Sequence, residues 1–453
     1  MTHPVSRRTF LTQVAAASIA APLILPRLSF ANPANSRLQH ASIGVTAQAA
    51  HDLSNIASHE RVDVVALCDV DATKLEQARA QYPNARLYRD WREMLEKEEK
   101  NIDSVNVSVP DHHHAPATMT ALRMKKHVFC EKPLTHEVYE ARKVAQAAKK
   151  AGVATQMGNQ IHSHEFYRTA VQWLQEGAIG KVKEWHSWVG AIFTNDSKMR
   201  PEGSDPIPSD LDWDLWLGVA PERPYKKSQI VDGKEIAAYH PFYWRTFRDF
   251  GGGAVGDFGC HIYDPIFTAL DIQAPLNVSA TTESQSPEVY PAWTIANYEF
   301  PAVKLSSGKT IKSTWRDGGL KPEISVSPHI PAEYELPASG SIVVGEDGTL
   351  VIPHVGNPKL FPEAKFANYP VPVFEEKSHY HEFVEVALNG GQCGSHFQFA
   401  GPMTETVLLA NIAGLFPGKT LEWNAKRMKF KKAPEATKML RRKYRDGWEI
   451  KGL

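Results

Sequence analysis

The chain has 453 residues, 42% of them hydrophobic, and its 51 basic and 51 acidic side chains cancel. That length suits two domains, because a single core rarely grows past about 250–300 residues, and the neutral balance excludes nucleic acid or an anionic membrane surface as the main partner. The four cysteines (Cys68, Cys130, Cys260, Cys393) are far apart and form no C-x-x-C pair, which excludes a cysteine metal site and predicts free, buried thiols.

Residues 1–31 read as a removable targeting segment. Ser6-Arg7-Arg8-Thr9-Phe10-Leu11 sets paired arginines before an apolar run from Val14 to Leu25, and Ser29-Phe30-Ala31 offers a small-x-small cleavage site. The run is shorter than the roughly 20 residues of a membrane span. Twin arginines ahead of Phe-Leu resemble a twin-arginine export signal, so the expectation is an exported, periplasmic protein with no membrane span. Residues 32–40 read as a linker.

From residue 41 to 160, short apolar runs alternate with helical stretches. Strands are expected at 42–45, 62–69, 104–109, 127–131 and 153–157, with helices at 47–58, 73–81, 90–97, 115–124 and 136–150. This rhythm predicts a doubly wound parallel sheet of the dinucleotide-binding, Rossmann type. After the first strand the chain reads Gly44-Val45-Thr46-Ala47-Gln48-Ala49. A phosphate loop would have G-x-G-x-x-G here, so only Gly44 stands, with Thr46 and Ala49 at the second and third glycine places. Thr46 either donates its hydroxyl to phosphate or weakens binding. Asp69 ends the second strand, where a carboxylate bonds the ribose hydroxyls and favours NAD over NADP; Asp71 is the alternative helix cap.

Pro110-Asp111-His112-His113-His114 closes the next strand. Adjacent histidines cannot all reach one ion from a rigid turn, so the expectation is no metal: one ring lining a pocket, one capping a helix and one solvated. Val128-Phe129-Cys130 then runs into Glu131-Lys132-Pro133, which stops the strand and sets Lys132 at its carboxyl end. Open α/β sheets bind ligands at that place, and Lys132 there can bond a substrate oxygen or exchange a proton.

Residues 161–425 read as a second α/β domain. A helix is expected at 165–176 and a strand at 183–190, with Trp185 and Trp188 on opposite faces. The tryptophan-rich stretch from Arg200 to Tyr225 is either a sugar-contacting loop or a satellite core. In Gly253-Ala254-Val255-Gly256-Asp257-Phe258-Gly259-Cys260-His261, a helix brings Asp257 and His261 onto one face, where the carboxylate would hold the imidazole tautomer. Antiparallel strands follow at 279–300 and 304–315, a hairpin at 341–352, helices from His379 and from Met403, and a C-terminal tail at 426–453 whose basic part, Lys426 to Lys443, reads as a solvated strand and helix.

Glu131-Lys132-Pro133, the Asp111–His114 turn and Gly253…Asp257…His261 together resemble the glucose–fructose oxidoreductase/inositol dehydrogenase/MocA (Gfo/Idh/MocA) family of sugar and cyclitol dehydrogenases, in an exported branch. The resemblance implies a C-terminal domain with a large, mostly antiparallel sheet that often serves as an oligomer interface. It implies that Lys132, Asp257 and His261 are catalytic. His261 would take the hydroxyl proton as the carbon gives hydride to the nicotinamide, Lys132 would steady the oxygen, and Asp257 would orient or relay. Cofactor contacts are expected from Gly44, Thr46, Ala47, Asp69, Pro110, His112, His114, Glu131, Lys132, Asn159 and Gln160, and substrate contacts from Trp244 and Arg245 beside the three catalytic residues. NAD is the expected cofactor, with NADP open. Outside the cytoplasm free NAD is scarce, so a retained cofactor is expected. A redox-neutral glycoside hydrolase or lyase working through a keto-sugar, and a cofactor-poor sugar-binding relic, stand as alternatives.

Overall fold

Six short apolar runs of the first half pair side by side into one sheet. In the computed structural model, which describes residues 37–190, 199–231 and 233–453, they are β1 (Leu38–Ile43), β2 (Val62–Cys68), β3 (Arg86–Tyr88), β4 (Ser104–Val107), β5 (His127–Cys130) and β6 (Thr155–Met157). The targeting segment lies outside the described residues. Helices α1 (Gln48–Ala57), α2 (Ala72–Gln81), α3 (Trp91–Lys97), α4 (His114–Arg123) and α5 (Val138–Ala151) connect the strands in turn. All pairs are parallel, in the order β3-β2-β1-β4-β5-β6. The first strand starts at Leu38, so residues 38–40 belong to the sheet and not to a linker. The three-residue β3 is too short to show a period in the sequence. Asp71 and Asp90 cap α2 and α3, accepting from the amides of Lys74 and Arg92.

The second half supplies α6 (Glu165–Gln175), β7 (Val182–Trp188), α7 (Trp213–Leu217), the hairpin β8 (Ser228–Val231) and β9 (Lys234–Ala237), α8 (Gly253–Ile262) and α9 (Asp264–Leu270). It continues with β10 (Asn277–Thr282), β11 (Thr294–Pro301), β12 (Thr310–Arg316), β13 (Gly340–Gly345), β14 (Thr349–Pro353) and β15 (Lys359–Phe361). Last come α10 (Glu363–Phe366), α11 (His379–Asn389), α12 (Phe397–Ala413), β16 (Leu421–Asn424), β17 (Lys429–Phe430) and α13 (Pro434–Lys438). Nine of these strands form a sheet ordered β15-β14-β13-β7-β12-β11-β10-β16-β17, antiparallel except where β7 meets β12. Trp185 packs with Tyr263 and Phe300 on one face, while Trp188 packs with Ile342 and Phe361 on the other.

Helix α12 is mostly apolar and largely buried, and it packs on both α5 and α8. Arg142 of α5 clamps Glu405 of α12 with bonds of 2.6–3.0 Å, and Trp423 Nε1 also donates to that carboxylate. The dinucleotide-type sheet is thereby held against the helix that carries Asp257 and His261. The tail is no solvated appendage. Arg442 bonds Glu137 and the main-chain oxygen of Asp249, and Leu440 and Trp448 are buried.

The tryptophan-rich stretch is a satellite core. Trp213 and Trp216 stack at 4.6 Å, are 5% and 3% exposed, and pack with Tyr239, Phe247 and Phe250. Rings buried on both faces have no surface to offer a sugar.

Candidate active site

The strand order reverses between β1 and β4, and open α/β sheets hold their ligands at such a point. Gly44 leaves β1 with φ +92°, and a Cβ on it would sit 2.2 Å from the Ser108 carbonyl oxygen, so only glycine fits. Thr46 is half-buried and Ala47 exposed at the start of α1, and Ala49 is buried against the strand. Among the described residues the amides of Thr46 and Ala47 have no hydrogen-bond partner, leaving donors at a helix N-terminus suited to phosphate. Ala47 has φ 50° and ψ −119°, a strained conformation for a residue with a Cβ.

Asp69 follows β2 and accepts from the amides of Val45 (3.1 Å) and Asp71 (3.0 Å), which fixes its carboxylate against the loop. Burial pushes its pKa up to about 6. The glycine turn, the free amides and an acid at the end of the second strand fit a nicotinamide dinucleotide. Thr46, half-buried, stands at the place of the second glycine.

Lys132 stands where the β5–α5 connection begins, and the Lys132–Pro133 peptide is cis. Its Nζ donates to Asp257 Oδ1 at 2.8 Å. Arg245 Nε lies 3.5 Å from the same oxygen, and its guanidinium lies 4.7 and 4.2 Å from the Phe242 and Trp244 rings. Burial opposes the Lys132 charge, but Asp257 and then Glu131 outweigh it, so the ammonium is held above the usual lysine range. Asp257 is held low against its own burial by Lys132 and Arg245. At neutral pH the pair is ionic, and Lys132 is a donor of hydrogen bonds and positive charge.

Asp257 and His261 share one face of α8, as their spacing predicts, yet they are not bonded to each other. The carboxylate is engaged by Lys132 and Arg245, and the buried Nδ1 of His261 has no partner among the described residues. Two strong cations draw the carboxylate away from a neutral ring. Burial, then Lys132 and His354, push His261 well below the usual histidine range. An unprotonated imidazole thus stands beside an ammonium.

Glu131 receives the Lys132 amide at 3.1 Å and Gln48 Nε2 at 3.4 Å. Gly158 makes room for it, since a Cβ there would lie 2.3 Å from Glu131 Oε1. Burial, then the neighbouring Asp52, drive its pKa well up. Pro110 is half-buried at the turn after β4.

The three histidines are all buried, and none is solvated. His112 faces the main-chain oxygens of Phe250 and Trp216, His113 that of Trp216, and His114 those of Pro133 and Val109. They brace the Lys132 turn against the segment leading into α8. Among the described residues no group of three His, Cys, Asp or Glu side chains is placed to hold a metal. Asn159 is buried and bonded to Asp264 and Ser395, while Gln160 is exposed. All four cysteines are buried and free.

Two further groups reach the cleft: Asp111, read in the sequence only as part of the turn after β4, and His354, not read at all. Asp111 accepts the Gly252 amide at 2.8 Å, and burial, then Asp257, raise its pKa to about 7. His354, just past β14, lies 5.3 Å from the His261 ring centre and bonds Tyr167 Oη at 3.1 Å. No motif marks His354, and nothing near Asp111 in sequence announces its bond to Gly252, because a distant chain crossing makes each contact.

Residues 38–159 match the family described as "Oxidoreductase family, NAD-binding Rossmann fold", and residues 178–304 match its "C-terminal alpha/beta domain". An uncharacterised oxidoreductase of Schizosaccharomyces pombe is 30% identical over 128 residues, which are 28% of this chain and 34% of that one. Inositol 2-dehydrogenase of Salmonella typhimurium is 33% identical over 92 residues, 20% of this chain and 27% of that one. The matched stretches span 24% to 41% of such relatives. In fold, the chain is similar to the WlbA dehydrogenase from Bordetella pertussis, solved with NADH and UDP-GlcNAcA (TM-score 0.59, 14% identity, 86% of this chain and 98% of that one). The two family segments together cover more than half of the 453 residues, in the order and with the folds described above. The chain belongs to the Gfo/Idh/MocA oxidoreductase family.

Proposed function

We propose that this protein is an NAD-dependent oxidoreductase that oxidises a hydroxyl of a sugar, cyclitol or glycoside, or reduces the matching ketone. The observation that carries this reading is the ionic Lys132–Asp257 pair beside a neutral, unpaired His261. When bound, the nicotinamide supplies the hydride acceptor or donor. His261 receives the hydroxyl proton at Nε2, the ring nitrogen left after its sealed Nδ1. Lys132 donates to the substrate oxygen and stabilises negative charge growing there. Asp257 keeps Lys132 charged and positioned, while Arg245 shares that carboxylate and limits its basicity. Gly44 and the amides of Thr46 and Ala47 would hold the pyrophosphate, and Asp69 the adenosine ribose, which favours NAD over NADP.

The arginine pair at Arg7-Arg8 supports export to the periplasm by the twin-arginine route, with the cofactor retained through the catalytic cycle. On β11 and β12, Asn297, Glu299, Lys312 and Thr314 alternate with buried residues and reach the surface, which supports assembly into a homo-oligomer through this part of the sheet. A panel of sugars, cyclitols and glycosides, followed by bound-nicotinamide absorbance, tests the reaction. Reduction of the cofactor by at least one of them is expected. A protein that binds NAD but stays oxidised with every member contradicts the assignment.

A further inference from the structure

On the far side of the turn that leads into α8 lies a cavity of about 270 Å³ whose walls include Arg248, Tyr290, Asn411, Arg441, Arg442 and Lys443. Its electrostatics are unbalanced. Of the two wall carboxylates, Glu137 is paired with His136 and Arg442, and Asp249 with Arg200 and Arg223. Arg248 has no carboxylate partner among the described residues. Its Nε donates to the main-chain oxygens of Ser286 and Val289, and its guanidinium lies 4.4 Å from the Tyr290 ring. Burial lowers its pKa, and only Tyr290 opposes that. Arg441 has no carboxylate partner among the described residues; it bonds the main-chain oxygen of Leu453 and lies 4.6 Å from the Tyr139 ring. Lys443 reaches only Asp446, in a fully solvated pair worth little. A guanidinium taken out of water without a counter-charge is costly. Arg248 is the cation held out of water without a counter-charge, and with Arg441 and Lys443 exposed at the rim of the same concavity it makes a receptor for a compact, multiply charged anion, which arginine forks bind in bidentate fashion.

We infer that this cavity binds a small dianionic oxyanion, a phosphate or a phosphate monoester, held by Arg248 from within and by Arg441 and Lys443 at the mouth. The site is separate from the redox centre and does not rest on the assignment made for it. It does adjoin that centre. Asn411 Nδ2 holds the Gly252 oxygen at 2.7 Å, the Gly252 amide holds Asp111, and Tyr290 packs against Gly253 at the start of α8. An anion bridging Arg248 and the 441–443 segment would pin the C-terminal segment to the turn that positions Asp257.

The test titrates the full chain with inorganic orthophosphate, and in parallel with glycerol 2-phosphate, at constant ionic strength set by sodium chloride. Thermal unfolding and calorimetry are the readouts. Both anions are expected to bind and to raise the melting temperature; tighter binding of the ester assigns an organic phosphate, and the reverse assigns the free ion. Arg248→Met should weaken binding about tenfold or more. The exposed double variant Arg441→Gln/Lys443→Gln should weaken it about threefold, and carries the test even where the buried variant fails to fold. No saturable binding by the wild type, or affinities unchanged in the double variant and in a folded Arg248→Met, would overturn the site.

Discussion

Lys132 Nζ and Asp257 Oδ1 lie 2.8 Å apart although 125 positions separate them in the chain. Their contact decides the chemistry of the cleft. It fixes the lysine as a cation and occupies the carboxylate that spacing alone would assign to His261.

Removing one member of that trio should therefore have distinct effects. Lys132→Met and His261→Asn are each expected to cut turnover by about 10²–10⁴-fold, the usual worth of a placed acid or base, with dinucleotide affinity little changed. Asp257→Asn should lower turnover too, and should also let the Lys132 pKa fall, moving the pH–rate profile. Steady-state kinetics across pH, with a parallel NAD titration, separate these outcomes. An unchanged profile in Asp257→Asn would show that the carboxylate does not hold the lysine.

Asp111 gives a stability prediction. Its folded pKa of about 7 exceeds the ordinary aspartate value of 3.8, so the folded state binds the proton more tightly than the unfolded one. The ionised carboxylate is thus a cost above pH 7, and that cost disappears as pH falls from 7 toward 4. Asp111→Asn keeps an oxygen for the Gly252 amide and should stabilise the protein more at pH 8 than at pH 5. Melting curves at both values check the sign; an equal shift at both would contradict it.

Ala47 holds a backbone conformation that suits glycine. Ala47→Gly should raise stability by about 1–2 kcal/mol and leave NAD affinity unchanged or improved. Chemical denaturation with and without NAD measures both.

The Arg142–Glu405 clamp joins the two halves through α5 and α12. Arg142→Ala leaves Glu405, 1% exposed, without its counter-charge, and should cost about 3–5 kcal/mol. Urea unfolding gives the value. A loss near zero would show that apolar packing of α12 alone holds the interface.

The alternation of strands and helices made the parallel sheet legible, because each run buries a short apolar strand and the helix between has its own period. Lys132, Asp257 and His261 were legible for a similar reason: the first follows a strand that proline ends, and the others share a helical face. The partner choice within the cleft was not legible. Nothing near Asp257 in sequence announces that Lys132 and Arg245 outcompete a histidine one turn away. Trp213 and Trp216 left two readings open, since an aromatic-dense loop has the same composition whether its rings face a ligand or each other. Arg442 was hidden in a basic tail because only the folded chain sets it against Glu137.

The most direct measurement is of the cofactor itself. The full chain is purified after export and denatured, and the supernatant is assayed for nicotinamide dinucleotide by absorbance and mass; any empty fraction is titrated with NAD and NADP. The structure of the Gly44–Asp69 site predicts one dinucleotide per chain, retained or taken up, with NAD preferred. A protein that releases none and binds neither would contradict the oxidoreductase assignment, whatever the state of Lys132, Asp257 and His261.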